Sequence, residues 1–217
     1  MDSFSYPNTH LTNPTLAPEA PRMKLEPKQT LYFTGDRAES LFQIKKGMIR
    51  FYMTTPEGRS ITVRHLVPGD YFGEEALAKG IRQDTAEALT RVETELISPE
   101  YLNQSTLNSV IASLSEQMRR VMNYEYHLQQ GTLKQRIARY LCALTETPLA
   151  YEGDDGNFTL SVTHSFIAEG TSATRESVSA LISELSSEGL IASGYAKITL
   201  LDMDALQALV DEPIAFL

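Results

Sequence analysis

Thr163-His-Ser-Phe-Ile-Ala-Glu-Gly170, then Thr171-Ser172-Ala173, then Thr174-Arg175-Glu176-Ser177-Val178-Ser179-Ala180-Leu181-Ile182-Ser183-Glu184-Leu185 is the stretch from which the fold of this chain can be read. Thr163 can cap a helix by accepting a free first-turn N–H. A turn near Gly170 to Ser172 separates that helix from a second, expected from about Ala173 to Glu188 and closed by Gly189. In the second helix Val178, Leu181, Ile182 and Leu185 share an apolar face, and Arg175, Glu176 and Ser179 lie on the other side. A guanidinium fork can donate to O6 and N7 of guanine, and a carboxylate can accept from N4 of cytosine. An Arg-Glu couplet at the start of such a helix can therefore read bases as well as grip phosphate. The ordinary alternative is a pair of solvated surface charges, so the surroundings decide. Leu190 to Ala192 and Lys197 to Leu201, joined through Ser193-Gly194-Tyr195-Ala196, form a hairpin. Helix, turn, helix and hairpin in that order make a winged helix-turn-helix. Its second helix presents its first residues to the major groove, and Thr163 and Lys197 are placed to hold phosphates.

Upstream the periodicity changes twice. From about Thr30 the chain runs in short β-rich segments: Leu31 to Phe33, Leu41 to Ile44, Met48 to Met53, Ser60 to Leu66, and Thr85 to Ile97 with a break inside it. Turn signals stand between them at Gly35-Asp36, Lys46-Gly47, Pro56-Glu57-Gly58 and Pro68-Gly69-Asp70. This spacing favours a β-sandwich or jelly roll. After Pro99, Leu107, Ile111, Leu114, Met118, Val121, Glu125 and Leu128 recur at steps of four and three. That is a coiled-coil seam, read here as a dimerisation helix, although a long helix packed on its own β domain would leave a related pattern. Met118, Met122, Tyr124 and Tyr126 are expected at the seam or against the roll. Gln129-Gln130-Gly131 marks a hinge, Leu133, Ile137, Leu141 and Leu144 begin another helix ended by Pro148, and Tyr151 to Asn157 reads as a loop or hairpin turn.

The fold class is therefore α+β. The expected parts are a flexible N-terminal arm over 1–22, a β-roll over 23–103, a dimerisation helix over 104–130, and a winged helix-turn-helix over 131–217. The arm is inferred from Pro7, Pro14, Pro18 and Pro21 among small polar residues. It lacks a basic flank followed by an apolar block, and no apolar run approaches the roughly 20 residues that cross a bilayer. A cytoplasmic protein without membrane contact is expected. The lone Cys142 sits among Ile137, Tyr140, Leu141 and Leu144 at helical spacing, as a core residue would, and cannot supply the thiolates of an iron-sulfur or structural zinc site. His10, His65, His127 and His164 fall in different elements, which argues against a metal or haem site and gives each a core or surface role. No cofactor is expected. An enzyme is disfavoured because no nucleophile, base and oxyanion donor can be assembled.

Four segments in order resemble the Crp/Fnr regulators, the cyclic-AMP receptor and fumarate-nitrate reduction type, over residues 29 to 201. They are Phe33-Thr-Gly-Asp-Arg-Ala-Glu-Ser-Leu-Phe42, Ile44-Lys-Lys-Gly-Met-Ile-Arg50, Pro68-Gly-Asp-Tyr-Phe-Gly-Glu-Glu-Ala-Leu77, and Thr163 through Leu185. The resemblance implies a homodimeric regulator that binds double-stranded DNA at a pseudo-palindrome and works on RNA polymerase, here expected as an activator. Glu146 to Ala150 with Ser193 to Asp202 is also similar to a stress-response branch thought to act without a small-molecule effector. In cyclic-nucleotide-binding relatives, Gly-Glu at the position of Gly73-Glu74 meets the ribose, and an Arg-Ser pair eleven residues on clamps the phosphate. Here that pair is Asp84-Thr85, with Arg82 two residues earlier. A carboxylate repels a phosphate, so Gly73, Glu74, Arg82, Asp84 and Thr85 are read as a degenerate pocket. A small molecule other than cyclic AMP in the roll stays open as an alternative, as does a regulator that has lost DNA affinity. Two further departures bear on DNA. Ala180 stands where the family has a basic residue, and Thr171-Ser172 replaces its Leu-Gly, which makes a turn needing positive φ costlier.

Charge opposes easy DNA binding. From Arg139 onward three bases (Arg139, Arg175 and Lys197) face twelve acids, leaving this region with all of the chain's net charge of −9. Counterion release from phosphates supplies most non-specific affinity, so weak binding to bulk DNA and a shallow salt dependence are expected.

Overall fold

The computed structural model describes residues 21–58 and 60–210. The expected arm thus lies outside the described residues except at Pro21 and Arg22, as do residues 211–217 of the winged domain.

Eight strands build the roll: β1 (Arg22–Leu25), β2 (Thr30–Tyr32), β3 (Leu41–Lys46), β4 (Ile49–Thr54), β5 (Ser60–Leu66), β6 (Tyr71–Phe72), β7 (Thr85–Ala88) and β8 (Val92–Ile97). They pair antiparallel in two four-stranded sheets, ordered β1-β8-β3-β6 and β2-β7-β4-β5. Alternation explains the packing, because Phe42 and Ile44 of β3 and Ile49 and Phe51 of β4 turn inward to meet Leu66, Phe72, Ala86 and Val92. Phe42 stacks on Phe72 with centroids 5.0 Å apart, and Phe51 meets Phe72 edge-on at 5.3 Å. Gly47 makes the β3–β4 turn at φ +85°, where a Cβ would strike the Arg91 carbonyl.

Helix α1 (Gln104–Leu128) follows, begun by the Asn103 side chain accepting from the Thr106 N–H at 2.8 Å. Twenty-five residues extend it about 37 Å. One face lies on the roll. There Gln117 donates to the Tyr71 carbonyl at 2.7 Å, Arg120 pairs with Asp70 at 2.7 Å, and Val110 joins Ala38, Leu41 and Ala76. Of the expected seam, Leu107, Leu114, Val121 and Leu128 are half-buried, with Leu114 packed on the Leu41 cluster. The opposite face leaves Ile111, Met118, Met122 and Tyr126 each more than half exposed.

The C-terminal domain comprises α2 (Leu133–Leu144), β9 (Ala150–Glu152), β10 (Phe158–Leu160), α3 (His164–Gly170), α4 (Arg175–Ser187), β11 (Ile191–Gly194), β12 (Lys197–Leu200) and α5 (Met203–Ala208), with a sheet ordered β11-β12-β10-β9. Thr132 and Gln135 cap α2 reciprocally. The stretch from Tyr151 to Asn157, expected as a loop or hairpin turn, is the turn end of the β9–β10 hairpin, with Tyr151 itself in the strand opposite Thr159. The sequence reading did not anticipate α5. The Asp202 carboxylate starts it by accepting from the Ala205 N–H at 2.9 Å, and it buries Leu206 in the domain core. That core reaches into the roll, because Met48 and Val67 belong to the same cluster as Tyr140, Leu141 and Ile167.

Polar contacts reinforce this junction. Glu169 of α3 accepts from Arg50 at 3.1 Å and from the Thr62 hydroxyl at 3.0 Å, and Tyr124 of α1 donates to the Gly170 carbonyl at 2.7 Å. His65 lies 5.6 Å from the Phe166 ring, with its Nε2 shut from solvent and without a partner among the described residues. Burial first, and Arg50 second, push its imidazole down to about 4, so it is neutral at pH 7.

Candidate nucleic-acid interface

Two helices and a hairpin form the surface expected to meet DNA. The Thr163 hydroxyl accepts from the Phe166 N–H at 3.1 Å and starts α3; the Thr174 hydroxyl accepts from the Ser177 N–H at 3.2 Å and starts α4. Each threonine spends its oxygen on an otherwise orphan donor, which is why both helices begin where they do. Between them the chain reverses through Ser172 at φ +50°. The left-handed residue falls on Ser172, and the serine carries that conformation without glycine's freedom. Gly170 serves a different need, since its φ is negative and a Cβ there would overlap the Tyr140 ring.

Val178, Ile182 and Leu185 are buried in the domain core, and Leu181 packs beside them. Arg175 and Glu176, on the first turn of α4, are exposed, and neither makes an ion pair or hydrogen bond with any described residue. Ser179 lies one turn beyond Arg175 on the same stripe, partly covered. Ala180 next to it is exposed and offers no polar atom. Lys197 is exposed beside the turn of the wing, opposite Gly194, its ammonium 5.4 Å from the Tyr151 ring centre. Glu184 of α4 and Glu188, the residue just after it, are turned to Lys134 of α2, at 2.9 and 2.6 Å. These contacts neutralise part of the domain's excess negative charge away from Arg175.

Two residues stand at this surface without having been expected among the DNA-contacting set. Tyr195, between Gly194 and Ala196 at the wing tip, is fully exposed. An aromatic residue in a Ser-Gly-x-Ala turn was the available signal. His164, the first residue of α3, has Nδ1 2.9 Å from the Ser179 hydroxyl and Nε2 3.5 Å from the Ser193 hydroxyl. Separations of 15 and 29 residues leave no local pattern to find.

The suspected effector pocket is organised around a residue that the sequence did not single out. Arg64 of β5 donates to Gln117 of α1 at 3.0 Å and to Glu74 at 3.1 Å, lies 3.8 Å from Asp84, and covers the Phe51 ring at 4.8 Å. Arg82 is 3% exposed. It pairs with Glu75 at 3.2 Å, donates to the Ser40 carbonyl at 2.7 Å and covers the Tyr32 ring at 4.3 Å. Thr85 accepts from the Thr34 N–H at 3.1 Å. Gly73 takes φ +81° between Arg82 and the Ser40 carbonyl, where a Cβ would collide with both. Burial raises Asp84 to about 6 against the pull of Arg64, with Glu75 and Glu74 adding to the rise. Both arginines are thus committed to protein acceptors, and the Asp84 carboxyl stands beside Arg64. This arrangement does not fit a cyclic phosphate. Among the described residues no helix is long and apolar enough to cross a membrane.

Two family models match this chain. Residues 22–107 match the cyclic nucleotide-binding domain model and residues 135–209 the Crp-like helix-turn-helix domain model. The transcriptional regulator LdrP of Thermus thermophilus is 44% identical over 180 residues, which cover 83% of this chain and 92% of that protein. SdrP, a transcriptional regulator of the same organism, is 38% identical over 176 residues, covering 81% and 85%. The crystal structure of a CRP-family transcriptional regulator, also from Thermus thermophilus, superposes with a TM-score of 0.86 at 40% identity, covering 90% of this chain and 100% of that one.

Proposed function

The chain belongs to the Crp/Fnr family of DNA-binding transcriptional regulators, which are not enzymes, and from that premise we propose that it acts as a cytoplasmic homodimeric activator needing no cyclic AMP. The observation that carries this reading is the Arg64 bridge. A cation supplied by the protein itself ties α1 to Glu74 and lies beside Asp84, so the roll and the long helix are already joined where a ligand would otherwise be required. Glu169 then fixes α3 to the roll through Arg50 and Thr62.

Dimerisation follows from the bare strip on α1. Ile111, Met118 and Met122 present apolar side chains to solvent at heptad-like steps, and burying them against a second copy would exclude that area from water. Half-buried Leu107, Leu114, Val121 and Leu128 flank the strip. A two-fold dimer sets two α4 helices about 34 Å apart, one duplex turn, against a pseudo-palindrome. Arg175 and Glu176 read base edges, Ser179 adds a hydroxyl beside them, and Thr163 and Lys197 hold phosphates. RNA polymerase is the partner on which such a dimer acts. With so acidic a domain, specificity rests on these few contacts, and binding to random duplexes is weak with a shallow salt slope.

The deciding experiment is operator selection from random duplexes by the purified full-length protein, with and without cyclic AMP, alongside its mass in solution. A dimer that enriches a palindrome equally in both conditions is expected. A protein that ignores DNA until a nucleotide or metabolite is added would instead be ligand-switched. Failure to enrich any palindrome would mark a regulator working through protein contacts alone.

A further inference from the structure

Three parts of the DNA-binding domain meet at one imidazole. His164 opens α3, Ser179 lies on α4 one turn beyond Arg175, and Ser193 lies on β11 at the wing. His164 Nδ1 is 2.9 Å from Ser179 Oγ, and Nε2 is 3.5 Å from Ser193 Oγ. The ring is held at its own end, because the Thr163 cap and the α3 backbone fix its Cα and Nδ1 is already engaged.

A serine hydroxyl on a helix surface normally rotates among three wells and offers a neighbour either its proton or its lone pairs. Against a ring nitrogen it loses that freedom. If Nδ1 accepts, the Ser179 proton turns inward and only lone pairs face outward; if Nδ1 donates, the proton is left for a base or phosphate acceptor. Either tautomer gives Ser179 one defined polarity. The contact from Nε2 to Ser193 couples that choice to the wing, so helix and hairpin approach a duplex as one piece. Ala180 beside Ser179 offers no polar group, which leaves Ser179 the nearest polar neighbour of Arg175 along the stripe.

We propose that His164 is a positioning residue for operator recognition, which orients the Ser179 hydroxyl toward the base pair next to that read by Arg175. The proposal rests on α4 being the recognition helix. It makes His164 part of the specificity machinery without requiring it to touch a base.

The test uses the full-length protein and its selected operator, with all four base pairs substituted in turn at each half-site position. His164→Ala, His164→Asn, Ser179→Ala, the His164→Ala/Ser179→Ala double variant and Arg175→Ala are compared, with random duplex DNA and thermal melting as controls. His164→Ala and Ser179→Ala should each weaken the preferred operator by about 3- to 10-fold, the effect of one oriented hydrogen bond. Both should flatten preference at the same base pair and leave random-DNA affinity unchanged. The double variant should be no weaker than either single one. His164→Asn, whose amide can replace Nδ1, should restore most of the preference; if His164→Ala fails to fold, a folded His164→Asn that loses the preference overturns the proposal. Losses that multiply in the double variant, or that fall equally on every sequence, also overturn it. If Arg175→Ala keeps every base preference, the reading of α4 is wrong and His164 falls with it. If Arg175→Ala loses its guanine while His164→Ala changes nothing, the role of His164 alone is rejected.

Discussion

Arginines are used in opposite ways in the two halves of this molecule. In the roll, Arg64 and Arg82 are enclosed, stacked on aromatic rings and engaged by Glu74, Glu75, Gln117 and the Ser40 carbonyl. On α4, Arg175 stands in water with no described partner, although Glu176 adjoins it and acids outnumber bases around it. Removing a guanidinium from water costs several kcal/mol, and structure recovers that cost only through saturated contacts. A cation so placed has little left for a ligand. One left exposed contributes little to stability, and its donors remain available for a duplex.

This contrast is open to direct attack. The largest effect is expected from Arg64→Ala, which strands Glu74 and Asp84 and removes one tie between α1 and the roll; unfolding in urea should show a loss of about 3 kcal/mol. An unchanged midpoint would mean that the bridge holds nothing. Arg175→Ala should reverse the pattern, with the same urea midpoint as the unaltered protein but about 2 kcal/mol less affinity for the operator in a titration at fixed salt.

The smallest effect is in pH dependence. Asp84 is raised from its ordinary 3.8 to about 6, so the folded state holds more protons across that window and this group's contribution to stability falls as pH rises through it. His65 is lowered from 6.5 to about 4, so there the unfolded chain holds more protons and stability rises with pH. The two slopes oppose, and the unaltered protein should be nearly flat. Asp84→Asn removes one of them, so the variant should gain about 1 kcal/mol relative to the unaltered protein between pH 5 and pH 7 in urea unfolding at each pH. A variant curve parallel to the original would show that Asp84 does not titrate in this window.

Much of the DNA-facing half was legible because its signals are local. Thr163 marks a helix start through a hydroxyl that reaches three residues ahead, and Val178, Ile182 and Leu185 mark a buried face by their period. The turn was anticipated as a place of strain, and Ser172 carries it. In the pocket, Asp84-Thr85 stood out by position, whereas Arg64 did not. Its partners lie 10, 20 and 53 residues away, on a 3₁₀ turn, in the bend before β7 and on a helix. His164 was hidden for the same reason. On α1 the heptad period announced a long apolar helix but carried no label for its two faces. Leu114 went to the roll, while Met122 and Tyr126, off the counted seam, remained bare.

By itself, then, the order of residues along the chain determined the longer strands of the roll, the helix-turn-helix pair, the wing and the exposed Arg175-Glu176 couplet, since each depends on neighbours within a turn or a hairpin. Only the folded chain decided that Arg64 fills the pocket, which side of α1 stays open, and that one imidazole joins Ser179 to Ser193. Those outcomes arise from contacts between segments distant in sequence, where the pairing of a buried charge or the rotation of a helix is set by everything packed around it.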